Sequence, residues 1–291
     1  MSADEQPPLD FGAVCQRWRN RRHSWRPTGE GGFDPTRYRV REMPNDLVHT
    51  AKAFVLAHHH SGSWPAVRCA YGLIDTDALA AGQLVGVPTL GIPTQVAVLT
   101  WVFGRLTPYE ESLALNRLVL LDDVPANAET WAQARAFRLA AARGVRGVVA
   151  HSDPEPRTRL SAHGPEMIFP GHYGTIYQAK GMDYLGKTRP RRLTVLPDGS
   201  VLHDRAMSKV RNGECGRGGA ERRLVALGAR PRNAGEPGRA WLAEALHAAG
   251  ARGVRHGGCH RYAAYIGPRT GRLLTATSYP YSKAGQGGVA A

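Results

Sequence analysis

A strand, a helix and a second strand that follow one another constrain this chain more than any other feature of its sequence. "LALNRLVLLDD" and "VRGVVAHSD" are apolar strands, and "VPANAETWAQARAFRLAAARG" between them is a helix with Asn127 as its N-cap and Gly144 at its end. A unit of this kind places its ligand site near the strand ends and the helix N-terminus. We therefore expect Arg117, Asn127 and Asp153 to lie close together.

Further elements are predicted on both sides of this unit. Apolar residues at helical spacing predict a helix from Asp46, and "AVRCAYGLID" alternates as a strand. A Gly-rich loop follows, and "TQVAVLTWVFG" indicates a second, more buried strand. Towards the C-terminus, "LPDGSV" is typical of a turn between two strands, and it is followed by a helix at residues 240–249 and a last strand, "HRYAAYIG". The pattern predicts the α+β class.

The charge balance favours a polyanionic partner. The 291 residues include 38 Lys plus Arg against 24 Asp plus Glu, which gives a formal net charge of +14. Nucleic acid is the leading candidate, and an anionic membrane surface is the second. The alternative is a generally Arg-rich composition set by a GC-rich genome.

Much of the clustered charge lies in an N-terminal arm at residues 1–45 and in an extension at residues 187–291. In the arm, arginines interleave with Trp18 and Trp25, so guanidinium groups can pair with phosphates while aromatic rings stack on bases. A basic segment that wraps the protein's own surface is the alternative. The DNA-binding candidates are Arg17, Arg19, Arg21, Arg22, Arg189, Arg191 and Arg192.

Cysteine spacing and the N-terminus indicate a cytoplasmic protein. The four cysteines are far apart and form no CxxC pair, so neither a disulfide framework nor a zinc ribbon is signalled. The first residues, "MSADEQPPLD", lack a basic flank followed by an apolar stretch, and no segment approaches the ~18 apolar residues of a membrane span. We expect a chain that is neither exported nor embedded in a membrane.

An ordered series of short motifs resembles the Mom family of phage-type DNA modification proteins. The motifs are "AHHHSGSWP", "ESLALNRLVL", "VPANAETW", "AHSDP", "GHYGTIYQAKGMDYLG" and a late "CHRYAAYIG". The resemblance covers residues 46–186 and the last strand, and it implies a GNAT-like core: a mixed, strongly bent central sheet flanked by helices, here with basic N- and C-terminal extensions. The implied activity is conversion of adenine N6 in duplex DNA to a carbamoylmethyl or methylcarbamoyl type of adduct, which blocks restriction endonucleases.

The chain departs from the family pattern in several places. The segment "EPRTRLSAHGPEMIFP", which we predict to be a polar loop, is inserted after "AHSDP", so the depth of the pocket and the access to it are left open. Position 60 is His where relatives have Tyr, although both side chains can ligate iron. The Gly-rich loop that holds coenzyme A in ordinary GNAT enzymes is missing, since the equivalent turn reads "DDVPANAET". The donor therefore stays open between acetyl-CoA and another acyl donor.

The chemistry of three side chains makes them functional candidates independently of the resemblance. Asp153 can serve as a base, a metal ligand or an orienting acceptor, or it can cap its loop through an Asx turn. Tyr177 can act as a general acid or stack on a flipped base, or it is a half-buried helix aromatic. Arg117 lies in an apolar strand, so we expect it to pair with a cofactor phosphate, Glu111 or Asp153.

Two groups of histidines have metal-like spacing. The run at residues 58–60 is either solvated or contributes to a His/His/carboxylate iron site with Asp153. His256, Cys259 and His260 lack a matching second pair, so we interpret them as the start of a strand.

These observations and the resemblance give one set of candidates. The catalytic candidates are Asp153, Tyr177, Arg117, His59 and Ser61; the donor-binding candidates are Arg117, Leu118, Val119, Asn127 and Glu129; the iron ligands are His59, His60 and Asp153. The partner is double-stranded DNA, and the oligomeric state is left open, with a homodimer as one alternative. The competing functions are a conventional acetyl-CoA N-acetyltransferase on a protein or small amine, and a non-catalytic DNA-binding protein on the same scaffold.

Overall fold

The structure is a computed structural model, and it describes residues 14–19, 22–27, 33–59, 61–78, 82–125, 127–169, 171–267 and 277–279. These residues form two compact units. The first unit contains the described residues up to Ser152, residues 172–187 and those from His260 onwards, and the second contains residues 153–171 and 188–259. Among the described residues, no helix combines the length and the apolar character that a membrane span requires.

Strands and helices alternate along much of the described chain. The strands are β1 (Val14–Arg19), β2 (Arg22–Pro27), β3 (Tyr38–Met43), β4 (Val67–Asp75), β5 (Gln83–Gly91), β6 (Ser112–Leu120), β7 (Gly147–Ser152), β8 (Arg157–Ser161), β9 (Gly164–Phe169), β10 (Asp183–Lys187), β11 (Arg191–Val195), β12 (Val201–Leu202), β13 (Arg252–His256) and β14 (His260–Tyr265). The helices are α1 (Val48–His58), α2 (Ala97–Thr100), α3 (Ala128–Ala142), α4 (Thr175–Ala179), α5 (Asp204–Arg211), α6 (Gly218–Ala226) and α7 (Gly238–Ala248).

A seven-stranded sheet organises the first unit. Its order is β10-β14-β7-β6-β5-β4-β3, and each neighbouring pair is antiparallel except β6 with β7, which is parallel. Helix α3 connects these two parallel strands, so the predicted strand-helix-strand unit is confirmed. The sheet is mixed and flanked by helices, which confirms the predicted α+β class. Strands β1 and β2 pair with each other in a separate antiparallel hairpin.

Helices α1 and α3 pack on opposite faces of the sheet. Along β4, Leu73 packs with Ala132 of α3, whereas Ala70 packs with Ala51 and Val55 of α1. Leu73 and Ala70 are an odd number of residues apart, and successive side chains of a strand point to opposite faces. The sheet is therefore buried between the two helices, which explains its continuous apolar strands.

One predicted strand is wrong. The segment "TQVAVLTWVFG" contains the short helix α2, and the second strand is instead β5, in the stretch predicted as a Gly-rich loop. A short apolar run does not distinguish a strand from a helix. β5 contains glycines because neighbouring segments of the chain lie very close to it. A Cβ on Gly86, for example, would lie 2.8 Å from Leu120 Cγ.

The start of α3 is where the sequence predicts it, but for a different reason. Asn127 occupies the N-cap position, yet its side chain makes no capping hydrogen bond. Its φ of 72° lies in the left-handed region, which Asn tolerates better than most residues. Asn127 therefore contributes a backbone turn into the helix and no side-chain cap.

The second unit combines a three-stranded sheet with three helices. The sheet order is β12-β11-β13, and helices α5, α6 and α7 bury Val210, Leu224 and Trp241 in a common core. The predicted turn at "LPDGSV" is confirmed, since it joins β11 to β12 with Gly199 at a φ of 75°. The inserted segment that follows Asp153, predicted as a polar loop, instead forms the antiparallel hairpin of β8 and β9.

Candidate functional site

The parallel strands β6 and β7 separate part of the way along the sheet. They pair from Ser112 with Gly147 to Leu115 with Ala150, although both strands continue beyond these residues. At the same level the register of β6 against β5 shifts in a β-bulge directly before Arg117. Bulges of this kind re-aim side chains and are frequent next to functional sites. The first unit therefore has an opening in its sheet beside Arg117.

Arg117 is half-buried, and its hydrogen bonds go to neutral oxygens. Its Nη2 donates to Ser63 Oγ at 2.8 Å, its Nε to the Ser63 carbonyl at 3.2 Å and its Nη1 to the Asn116 carbonyl at 2.6 Å. Glu111, one of the predicted partners, instead accepts a backbone N–H at 2.8 Å. The ion pairs among the described residues do not include Arg117. Its positive charge is thus available to an anion.

Tyr177 lies on α4 and is buried, with 7% of its surface exposed, more deeply than the sequence predicted. Burial raises the pKa of its phenol, Tyr262 raises that pKa further, and the charge of Arg117 acts against both. Burial in turn lowers the pKa of Arg117, and Tyr177 acts against this shift. The two side chains therefore influence each other electrostatically, and the phenol of Tyr177 stays protonated at neutral pH.

An aromatic cluster that the sequence analysis did not single out surrounds Tyr177. The ring of Tyr262 lies 5.4 Å from that of Tyr177 and 5.2 Å from that of Tyr184, centroid to centroid. Tyr262 Oη donates to the Tyr173 carbonyl at 2.7 Å and accepts from Gln178 Nε2 at 3.0 Å. The motifs "MDYLG" and "CHRYAAYIG" carry these tyrosines and are the signal that could have located the cluster.

Two buried polar atoms in this region have no protein partner. Ser152 Oγ at the end of β7 and Gln178 Oε1 on α4 are both fully buried, and neither makes a hydrogen bond in the described part of the chain. A buried polar atom without a partner is costly, so such atoms are expected to meet a ligand or an ordered water. Both residues neighbour the aromatic cluster, which supports a ligand site there.

A short polar chain leads from His59 to Arg117. His59 Nδ1 lies 2.9 Å from Ser61 Oγ and accepts the Ser61 N–H at 3.1 Å, and Ser63 Oγ donates to Ser61 Oγ at 3.1 Å. Ser63 Oγ is also the acceptor of Arg117 Nη2. The predicted candidates His59, Ser61 and Arg117 are therefore connected through Ser63, a residue that the prediction missed.

The remaining donor-binding candidates lie on β6 and α3. Val119 is buried in the core beside α1, so its side chain is committed to packing. Leu118 and Glu129 lie in β6 and in the first turn of α3, and the polar contacts of Arg117 do not involve Asn127. Donor binding by Leu118, Asn127 and Glu129 stays a prediction.

Asp153 belongs to the second unit, whereas Arg117 and Asn127 belong to the first. Its Oδ2 accepts Arg157 Nη1 at 2.5 Å, and its Oδ1 accepts the Glu155 N–H at 3.0 Å and lies 2.9 Å from His256 Nε2. Burial alone raises the pKa of Asp153, but these hydrogen bonds outweigh burial and lower the pKa overall. The carboxylate is ionised at neutral pH, and its bond to Glu155 is an Asx turn.

Cys259 completes a cluster with Asp153 and His256. One ligand atom from each lies within 4.8 Å of the others. His256 Nδ1 accepts the Gly258 N–H at 3.0 Å, so in the neutral ring Nε2 carries the proton that Asp153 accepts. Burial, followed by the charge of Asp153, raises the pKa of Cys259 to about 11. Asp153 and His256 are therefore held by hydrogen bonds to each other, to Arg157 and to backbone N–H groups, and the thiol of Cys259 stays protonated at neutral pH.

The predicted iron site of His59, His60 and Asp153 stays a prediction. His60 lies outside the described residues, and the other two ligands belong to different units. His59 Nδ1 already accepts a backbone N–H.

The predicted DNA-binding arginines are partly described. The backbone of the β1–β2 hairpin carries Arg17, Arg19 and Arg22, and Arg21 lies outside the described residues. Arg191 and Arg192 are exposed on β11, and Arg189 is exposed just before it.

Comparisons with known proteins place the chain in a family. No curated protein matches the sequence. Matching solved structures include a tandem GNAT protein from the clavulanic acid biosynthesis pathway, at 10% identity and a TM-score of 0.33 over 84% of this chain and 81% of that one. They also include a KacTA–DNA complex, at 15% identity and a TM-score of 0.23 over 49% of this chain and 97% of that one. TM-scores this low support no conclusion. The sequence model of the Mom protein family, however, matches residues 37–283, and the chain therefore belongs to the Mom protein family.

Proposed function

We propose that this protein is a DNA-modifying transferase that acts on the N6 amino group of adenine in duplex DNA. The observation that carries the proposal is the family match over residues 37–283. The resemblance of its motifs implies an adduct of the carbamoylmethyl or methylcarbamoyl type, and protection of the modified DNA from restriction endonucleases. The opening in the sheet beside Arg117 and Tyr177 supports a group-transfer site in the first unit.

The target adenine has to leave the base stack before its amino group can react. Enzymes that act on a base in duplex DNA extrude it and hold it by stacking and hydrogen bonds. Tyr173 is 52% exposed and adjoins the aromatic cluster, with its ring 6.0 Å from that of His260. An accessible ring beside a buried cluster supports a stacking role for Tyr173 on the extruded adenine.

The molecule that donates the transferred group has to be held by its anionic part and activated by a hydrogen bond. Among the described residues Arg117 has no carboxylate partner, so its guanidinium is assigned to the anionic part of the donor. An acetyl group contains no nitrogen, so acetyl-CoA alone would give an N6-acetyl group, and a carbamoylmethyl or methylcarbamoyl adduct requires a donor that also carries the nitrogen. Burial raises the pKa of Tyr177, and a neutral phenol donates a hydrogen bond to the oxygen that gains charge as the donor reacts. Arg117 and Tyr177 would thus bind and activate one molecule.

The reaction also requires a proton acceptor. The lone pair of N6 is delocalised into the ring, so formation of the bond between N6 and the donor carbon must be accompanied by loss of an N6 proton. The bond between the donor carbon and its leaving group breaks in the same reaction, and the leaving group departs with the electron pair of that bond. Asp153 has a lowered pKa and is a weak acceptor, so we assign it to orienting His256 and Arg157. His59, at the end of the polar chain through Ser61, is the group to which we assign the proton, since imidazole is the usual base at neutral pH.

Mass spectrometry of nucleosides tests this function. DNA from cells that express the protein should yield a modified deoxyadenosine, and DNA from cells that express the Arg117→Ala variant should yield little. If wild-type digests contain only unmodified nucleosides while the purified protein acetylates an amine from acetyl-CoA, the conventional acetyltransferase is the better account. If the protein binds DNA and has neither activity, it is a binding protein on this scaffold.

A further inference from the structure

We propose that β11 and β13 form one phosphate-binding surface for duplex DNA, centred on Arg192 and Arg255. This basic strand surface is the face of the two strands that carries Arg192 and Arg255. Arg191 and Arg252 lie on the opposite face, because successive side chains of a strand alternate. The proposal rests on the proposed function, since DNA is the partner in both. It assigns phosphate contacts to two sequence segments that are about sixty residues apart.

The register of the strands brings the two central arginines together. β11 and β13 are antiparallel, and Arg192 pairs directly with Arg255. Side chains of directly opposed residues lie on the same face, with Cβ atoms about 4.5–5.5 Å apart. Both side chains are exposed. Two positive charges in this position repel each other, and an anion bound between them removes the repulsion.

Within the described part of the chain, Arg192 and Arg255 have no carboxylate partner. Between residues 188 and 259 there are fourteen Lys or Arg and six Asp or Glu. Five of these six carboxylates pair with arginines of the helices and loops: Asp198, Glu214, Glu221, Glu236 and Glu244. Among the described residues, the ion pairs include neither Arg192 nor Arg255.

Gly253 supports a fixed position for Arg192. A Cβ at Gly253 would lie 2.6 Å from Arg192 Nη2 and 2.7 Å from its Cζ, so the guanidinium lies directly across the glycine backbone. Any larger residue at position 253 would displace it. A guanidinium that rests on a strand loses less freedom when it binds a phosphate than one that extends into solvent.

The position of β13 fits a nucleic-acid contact and has one competing explanation. β13 is one of the two edge strands in the order β12-β11-β13, so its outer side is free of strand pairing in the described residues. A two-stranded antiparallel ribbon can enter the major groove or follow the phosphates. The competing explanation is that Arg252 and Arg255 protect the edge against pairing with other chains, as charged residues often do.

Salt dependence of DNA binding tests the proposal. The full-length protein and unmodified duplex DNA are used, and the variant carries Arg192→Gln and Arg255→Gln. Each phosphate contact contributes about −0.9 to the slope of log affinity against log salt, so the slope should become shallower by about 1.8. The matched control carries Arg205→Gln and Arg230→Gln, which removes the same charge from arginines that pair with carboxylates.

The proposal would be overturned if the salt slope of the Arg192/Arg255 variant equalled that of the wild type, or if the slope changed equally in this variant and in the control. It would also be overturned if the Arg192/Arg255 variant lost binding to anionic lipid vesicles and still bound DNA like the wild type. Urea unfolding of both variants checks that each is folded. The outcome is separable from that of the proposed function, because binding is measured without modification. A protein that binds DNA through these arginines and makes no modified nucleoside would retain this surface and lose the transferase.

Discussion

Gly174 offers a direct test of the packing around Tyr177 and Tyr262. It has a φ of 80°, in the left-handed region, and a Cβ at this position would overlap Tyr262 Cε2 and lie 2.9 Å from Ser152 Oγ. Gly181 is a matched control, because it has the same φ of 80° and nothing within 4 Å of its Cβ position. The two alanine variants therefore share a backbone cost and differ in steric overlap.

The expected magnitudes follow from this difference. The left-handed backbone costs an alanine about 1–2 kcal/mol at either position. Overlap in a packed region adds about 1–3 kcal/mol at Gly174 alone. Gly174→Ala should therefore lower the free energy of unfolding by about 1–3 kcal/mol more than Gly181→Ala. Because the overlap displaces the ring of Tyr262, Gly174→Ala should also reduce adenine modification, and Gly181→Ala should leave it near wild type.

Urea unfolding followed by tryptophan fluorescence measures the stabilities, and nucleoside mass spectrometry measures the modification. Equal losses of stability in the two variants would refute the close packing of Gly174 against Tyr262. A Gly174→Ala protein with full activity would show that the aromatic cluster does not form part of the reaction site.

Further predictions concern the reacting groups. Tyr177→Phe should fold and bind DNA normally and lower modification about 10²-fold, as loss of one hydrogen bond to the charge of a transition state does; an unchanged rate would exclude the phenol from the chemistry. Arg117→Gln should raise the donor concentration needed for half-maximal rate, and an unchanged value would exclude Arg117 from donor binding. Asp153→Asn should unfold more easily than wild type at pH 7. The pKa of Asp153 is lowered by folding, so its contribution to stability is fully present above the unfolded pKa and is lost as the pH falls through the folded pKa. The difference between the two proteins should therefore shrink below about pH 4 and disappear only below the folded pKa. If Asp153→Asn remained less stable than the wild type in acid, the loss of stability would come from the changed shape of the side chain and not from its charge.

Periodicity and end signals were sufficient for much of the fold. Strands β4, β6, β7 and β14 and helices α1, α3 and α7 were predicted because each buries a regular face. β5 was missed because its glycines are typical of a loop. These glycines are needed because neighbouring segments of the chain approach β5 closely, which is a tertiary property. The hairpin of β8 and β9 was missed because its short strands lack an apolar alternation.

The candidate site could be predicted only in part. Arg117 was located because a charge inside an apolar strand needs a polar environment. Its partner Ser63 was missed, since a β-bulge and a loop far away in sequence bring the two together. The basic strand surface was half predicted, because Arg192 lies in a visible charge cluster, whereas Arg255 joins it only through strand pairing.

The reaction proposed for this protein takes place at the N6 amino group of adenine. The most direct measurement compares two otherwise identical duplexes incubated with the protein in an extract that supplies the donor. One duplex contains a single adenine, and in the other a purine without the amino group replaces it. Intact-mass spectrometry should show a mass increase on the adenine strand and none on the purine strand, and no increase on either with Arg117→Ala. An equal mass increase on the adenine-containing strand of one duplex and the purine-containing strand of the other would contradict modification at N6, and so would no increase on the adenine-containing strand.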